Sequence, residues 1–268
     1  MAGENPRRAL WWFFALTFAI SWGVGGLWLL FPKPLTALLG PFAYGSPGYY
    51  VAAYAPSLVA LALTYSESGP AGLRAMARRL RPGSLSALAI AVLAIPFAAL
   101  ALTLVMPRLG AWPVTPADVL VKTPLVLFAT AQVVTNSGPL GEEFGWRGYA
   151  LPRLLERWSP PVAAVLLGLI WTLWHVPAFL FAGIVGTSFS DLPWYALDTV
   201  GLSLLMTWLH LRSRVSILTA GLVPHFVING LGAAGAWRSR PAEAVALALV
   251  GLTLFALSPP QQNKGGTP

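Results

Sequence analysis

Long apolar runs separated by short polar or Pro/Gly-rich stretches dominate the chain. Several approach the roughly 20 residues that an α-helix needs to cross a hydrocarbon core. The first predicted span runs from Ala9 to Phe31 behind Arg7 and Arg8, and a Pro/Gly-rich loop follows over 32–48. Tyr49 and Tyr50 open a second span at an interface, ending near Tyr65. Between Gly69 and Pro82, spacings of three and four set Leu73, Ala77 and Leu80 opposite Arg74, Arg78, Arg79 and Arg81. That is the pattern of an amphipathic helix lying on a membrane. A third span is expected over Leu85–Met106, kinked at Pro96. A fourth runs from about Val119 towards Glu143, interrupted at Ser137-Gly138-Pro139, and Arg147–Trp158 reads as a short polar helix. Further spans are expected from Pro160-Pro161 to about Ala182, and at about Pro193 to Leu211, Val215 to Leu231 and Ala242 to Leu257.

The pattern therefore predicts an all-α polytopic membrane bundle of about eight transmembrane helices, without an internal repeat. One domain covers 1–258, and the Pro/Gln/Gly-rich 259–268 reads as a disordered tail. Composition agrees: 56% of the 268 residues are hydrophobic and 10% charged, with a mean hydropathy of +0.68. Soluble domains carry about 25% charged residues. A net charge of +8 would suggest nucleic acid for a soluble protein. Here membrane lipids are the expected partners and nucleic acid is not, because the basic residues gather in loops. Twelve of the 17 Lys and Arg fall on one side, including Arg7, Arg8, the arginines of 74–81, Arg147, Arg153, Arg157, Arg212 and Arg214. This bias predicts that both termini are cytoplasmic, with Arg238 and Arg240 as outliers on the outer side. There is no cysteine, so disulfides, thiolate catalysis and thiolate metal sites are excluded. The Trp-, Ala- and Gly-rich composition suggests a bacterial cytoplasmic membrane.

Polar groups inside the apolar runs carry the candidate chemistry, because ionisable residues are costly in a membrane and usually functional there. Glu142 and Glu143 end the fourth span, followed by Arg147. Glu143 and Arg147 are spaced i, i+4 with the acid first, the favoured order for a helical ion pair. Adjacent helical residues point about 100° apart, which leaves Glu142 as the freer carboxylate. His175 and His225 interrupt two later spans, roughly 20 and 15 Å above the cytoplasmic boundary by helical rise. Asn229 shares a helical face with His225. Such groups are compatible only around an internal polar cavity. Asp198 is a lesser candidate for lining it, and His210, beside Arg212 and Arg214, reads as interfacial.

Three motifs in order, Glu142-Glu143-x-x-x-Arg147, Trp171-x-x-x-His175 and His225-x-x-x-Asn229, resemble those of the CPBP family. These are the CAAX-processing and bacteriocin-processing intramembrane proteases, also called the ABI family. The resemblance runs over about 51–229. It departs from the family at Trp171, where Phe is usual and both read as packing aromatics, and at His210, where Tyr is common. The resemblance implies endoproteolysis of a membrane-associated or lipidated peptide or protein. It implies Glu142 as catalytic carboxylate, His175 as its aid in activating water, and His225 with Asn229 as stabilisers of the oxyanion. Glu143 and Arg147 would support the site.

Amide hydrolysis needs an activated water, a stabilised oxyanion and a proton for the leaving amine, and these residue types supply all three. A metal-free glutamate mechanism is therefore the first expectation, with no cofactor. A zinc metalloprotease using Glu142, His175 and His225 as ligands is the alternative, although no HExxH occurs. Gly-x-Ser-x-Gly, Gly-x-Gly-Asp and paired intramembrane Asp patterns are absent, which disfavours serine and aspartyl proteolysis. A non-catalytic membrane scaffold or bacteriocin self-immunity factor would use the same cavity. A proton-relaying transporter would favour a repeat, and none is found. On the predicted topology the cavity opens to the cytosol or inner leaflet.

Overall fold

The computed structural model describes residues 6–105, 138–181, 184, 188–233 and 240–257, and its regular structure there is helical throughout. Helix α1 (Pro6–Leu30) is followed by the short α2 (Pro32–Leu39), α3 (Pro47–Arg78) and α4 (Leu85–Val105). Helix α5 (Gly138–Glu143) widens into a π-helical stretch, Phe144–Ala150, and closes as α6 (Leu151–Leu155). Helix α7 (Pro160–His175) tightens into a 3-10 turn, Val176–Leu180, before α8 (Leu192–Arg212). A second π-helical stretch, Leu218–Leu222, leads into α9 (Val223–Ala233), and α10 (Arg240–Leu257) follows.

Among the described residues, three helical stretches are long and apolar enough to cross a membrane: Arg8–Leu30, Pro160–Leu180 and Arg240–Leu257. Leu85–Ala99 and Leu218–Gly232 are shorter apolar helices. Large apolar side chains such as Trp11, Leu30, Leu85, Leu252 and Leu257 project outward, as on helices solvated by lipid tails. Helix α8 is the centre, with every residue from Gly201 to His210 buried. The chain is thus an integral membrane bundle. Most of the fourth predicted span and the tail at 259–268 lie outside the described residues.

Two expectations are corrected here. The loop at 32–48 contains α2. The segment at 69–82 is not a separate surface helix: it continues α3 across a bend at Gly69, whose φ of 57° suits glycine. Within it Ala77 is exposed and Met76 is the buried residue. Arg79 turns inward instead of towards headgroups, because carbonyls await it there. Its Nη1 donates to Gly148 O at 2.7 Å, Nη2 to Arg147 O at 3.1 Å and Nε to Val215 O at 3.0 Å.

Close helix contacts fix the depth of α5. A Cβ at Gly141 would lie 2.6 Å from Ala53 O, and one at Gly145 would lie 2.6 Å from Pro56 O. This Gly-x-x-x-Gly ridge lets the backbones of α5 and α3 touch, the usual device of membrane helices. Pro56 also leaves the carbonyl of Ala52 without its helical donor. Ser21 Oγ on α1 donates to that carbonyl at 2.8 Å and accepts from Trp174 Nε1 on α7, also at 2.8 Å. One hydroxyl thereby ties three helices together beside the site.

Candidate active site

Glu142 and Glu143 leave α5 in different directions. Glu142, 4% exposed, lines a cavity of about 930 Å³ together with Trp171, His175, His225 and Asn229. Glu143 is fully buried behind that wall. Its Oε1 accepts from Arg147 Nη1 at 3.1 Å and from His225 Nδ1 at 2.7 Å. Its Oε2 packs against Gly221, where a Cβ would come within 2.8 Å.

Trp171 joins the pieces. Its Nε1–H donates to Glu142 Oε2 at 2.6 Å. The Arg147 guanidinium carbon lies 4.3 Å from the centre of its ring. The His225 ring stands edge-on at 5.2 Å, and the backbone oxygen of Trp171 meets His175 Nδ1 at 3.0 Å. An ionised carboxylate and a carbonyl oxygen can only accept, so the Nδ1 atoms of His225 and His175 both carry protons. In each ring Nε2 is then the nitrogen left for other partners.

A second polar cluster lines the same cavity. Arg240 Nη1 donates to Asp198 Oδ2 at 3.3 Å and to Glu243 Oε2 at 2.8 Å. Tyr195 stands between the two clusters, its ring centre 5.3 Å from that of His175 and 5.4 Å from the Arg240 guanidinium carbon. Glu243 was missed from sequence. Its signal was an Arg-x-x-Glu pair opening an otherwise apolar helix, the spacing that places both on one face.

The structure revises several placements. Arg147 does not start a polar surface helix: it and Trp146, Gly148, Tyr149 and Ala150 are buried, and exposure begins at Glu156 and Arg157. Arg153 is half-buried, in an ion pair with Glu67 at 2.6 Å. His210 is 1% exposed rather than interfacial, because α8 is enclosed to its last turn. Arg240 is no loop charge, since Asp198 and Glu243 hold it in the wall. Trp171 does more than pack.

The vertical placement changes as well. Gly141 touches Ala53, in the second turn of α3, so Glu142 sits well along the bundle from the end bearing Arg78, Arg79 and Arg81. That removes the gap of 15 to 20 Å by helical rise expected between Glu142 and the histidines. The cavity wall draws on Phe42, Tyr44, Tyr49, Phe181, Asp191 and Arg240, all at the opposite end of the bundle from those arginines. On the charge-derived orientation this is the outer side, not the cytosolic one.

Among the described residues, no three His, Asp or Glu side chains converge closely enough to hold a metal ion.

An α-helical membrane bundle enclosing two glutamates, an arginine, two histidines and an asparagine in three ordered motifs is a narrow class. Residues 122–231 match the family model described as Type II CAAX prenyl endopeptidase Rce1-like. The chain is also 38% identical over 93 residues to CAAX prenyl protease 2 of Methanococcus maripaludis, covering 33% of this chain. That match spans 34% of the relative's length. Together with the motifs, these matches support a likeness to the CPBP, or CAAX-protease, family.

Proposed function

We propose that the chain is an intramembrane endopeptidase, hydrolysing a peptide bond of a membrane-associated substrate in the manner of CAAX processing. The observation that carries the reading is the convergence of Glu142, His175, His225 and Asn229 on one cavity within the bundle. The relative's name, CAAX prenyl protease 2, supports a prenylated or otherwise lipidated substrate. The apolar spans support residence in a membrane, and the Trp-, Ala- and Gly-rich composition supports a bacterial cytoplasmic one.

In this proposal Glu142 takes a proton from water, and His175 Nε2 accepts the second water hydrogen and so aims the oxygen. Attack on the scissile carbonyl forms a tetrahedral oxyanion. His225, charged and balanced by Glu143, donates Nε2–H to that oxyanion, and the Asn229 amide donates beside it. Glu142 then hands its proton to the leaving amine. Arg147 fixes Glu143, and through it His225.

The ring orientations also suit a second reading. Imidazoles whose Nδ1–H is held by a carboxylate or a carbonyl are typical zinc ligands. Glu142, His175 and His225 would hold the ion, which would supply an activated hydroxide. As placed, these three side chains share the cavity but are not grouped closely enough to hold an ion. The test uses purified full-length protein in nanodiscs with a prenylated CaaX peptide. Cleavage should survive strong chelation and fall by about 10³-fold or more in Glu142→Gln. Activity lost to chelation and restored by zinc would select the metal reading. Cleavage unchanged in Glu142→Gln would remove Glu142 from the chemistry, and no cleavage by the wild type would leave a non-catalytic scaffold.

A further inference from the structure

The π-helical stretch raises a problem that the motif alone does not show. In an ordinary α-helix, Arg147 stacks with Glu143, four residues earlier. In a π-helix the register widens towards i, i+5, and five residues before Arg147 stands Glu142. A single buried guanidinium therefore has two carboxylates within its reach. Paired with Glu142, it would neutralise the base and leave Glu143 and His225 unsupported.

Trp171 lies where this choice is made. The edge of its indole donates to Glu142 Oε2 at 2.6 Å, while its face holds the Arg147 guanidinium, with Cζ 4.3 Å from the ring centre. Edge and face of one aromatic ring act at right angles. The donor faces the anion, and the electron-rich face takes the cation. The ring is 2% exposed, so neither contact is shared with bulk water. Leu167 and Trp174 bury the same helix on either side of it, which leaves the indole little freedom to turn. A phenyl ring here would keep the face and lose the donor.

We propose that Trp171 is a positioning residue that partitions the buried charges: it keeps Arg147 on Glu143 and holds Glu142 facing the cavity. The role rests on the peptidase reading above, but the contact it requires can be measured without turnover.

The test uses full-length protein in nanodiscs. Site-specific incorporation of β-(3-benzothienyl)alanine at position 171 replaces the indole N–H by sulfur and keeps the ring's shape. This variant and Trp171→Phe should each lower kcat about tenfold or more, with KM within about twofold. A purely structural aromatic would leave the benzothienyl variant at wild-type kcat. Separately, the 15N-indole signal of Trp171, assigned by its loss in Trp171→Phe, should move clearly in Glu142→Gln. An indole signal indifferent to Glu142→Gln overturns the proposal, whatever the kinetics. So does full kcat in the benzothienyl variant. If the wild type turns over no peptide while the signal moves, the peptidase reading falls and the partition by Trp171 stands.

Discussion

Glu142 and Glu143 are neighbours in sequence with different surroundings, and the difference comes from what each oxygen meets. Glu143 receives a guanidinium and an imidazole on one oxygen, so its charge is spent on holding Arg147 and His225 in place. Glu142 receives one indole N–H and otherwise faces the cavity. Gly221 makes the first arrangement fit, because a methyl there would lie 2.8 Å from Glu143 Oε2 and 3.3 Å from its Cγ. In Gly221→Ala the carboxylate must shift and His225 must follow. Turnover should fall at least about tenfold, while overpacking costs about 1–3 kcal/mol. Peptidase assay beside thermal melting separates the two. Wild-type turnover would show that Glu143 can slide without disturbing His225.

At the scale of elements, the two π-helical stretches shape the site, and one arginine closes the first of them. Widening the turn at Phe144–Ala150 loosens the backbone ladder, and the carbonyls of Arg147 and Gly148 turn to Arg79. Burial first, and Arg153 second, push the Arg79 guanidinium down to about 10, so it is still charged at neutral pH. Charge-assisted hydrogen bonds are worth about 1.5–3 kcal/mol each when unscreened. Arg79→Ala should therefore destabilise the fold by about 2 kcal/mol after partial exposure is discounted, and slow turnover by displacing Arg147. Arg79→Lys should rescue little, because one ammonium cannot span three carbonyls. Denaturation in detergent and kcat measure the two effects, and a fully active lysine variant would count against the strap. This element also shows where sequence reading stops. The apolar runs located α1, α4, α7, α8 and α10, since membrane-length helices declare themselves by length. The i, i+4 spacing of Glu143 and Arg147 was legible too. The π turns were not, because periodicity assumes a regular helix. Arg79 looked like a headgroup-facing charge because carbonyls leave no mark in a sequence. Glu243 escaped for a related reason: its partner Arg240 also holds Asp198, which comes from another helix, and only folding brings all three together.

Across the whole molecule, charge and cavity lie at opposite ends. The connections after α3 and α6 and the end of α8 carry Arg78, Arg81, Arg157, Arg212 and Arg214. The cavity draws its wall from the other ends of α1, α3, α7, α8, α9 and α10. Arg147 is buried and Arg240 half-buried in ion pairs, so neither counts as a loop charge, and each side loses one. The bias of basic residues towards the arginine-rich end is unchanged. If that end is cytoplasmic, as the positive-inside rule requires, the cavity faces the outer side, and substrate reaches Glu142 from the outer leaflet. The absence of cysteine makes this directly measurable. Single cysteines replacing Tyr44 at the cavity wall, Lys33 on α2 and Arg157 after α6 all stand at exposed positions. In intact cells an impermeant maleimide should label Tyr44→Cys and Lys33→Cys, and should label Arg157→Cys only after lysis. A bound lipopeptide should protect Tyr44→Cys and leave Lys33→Cys reactive, because only Tyr44 lines the cavity. The reverse labelling pattern would turn the cavity to the cytosol and place the arginine-rich end outside.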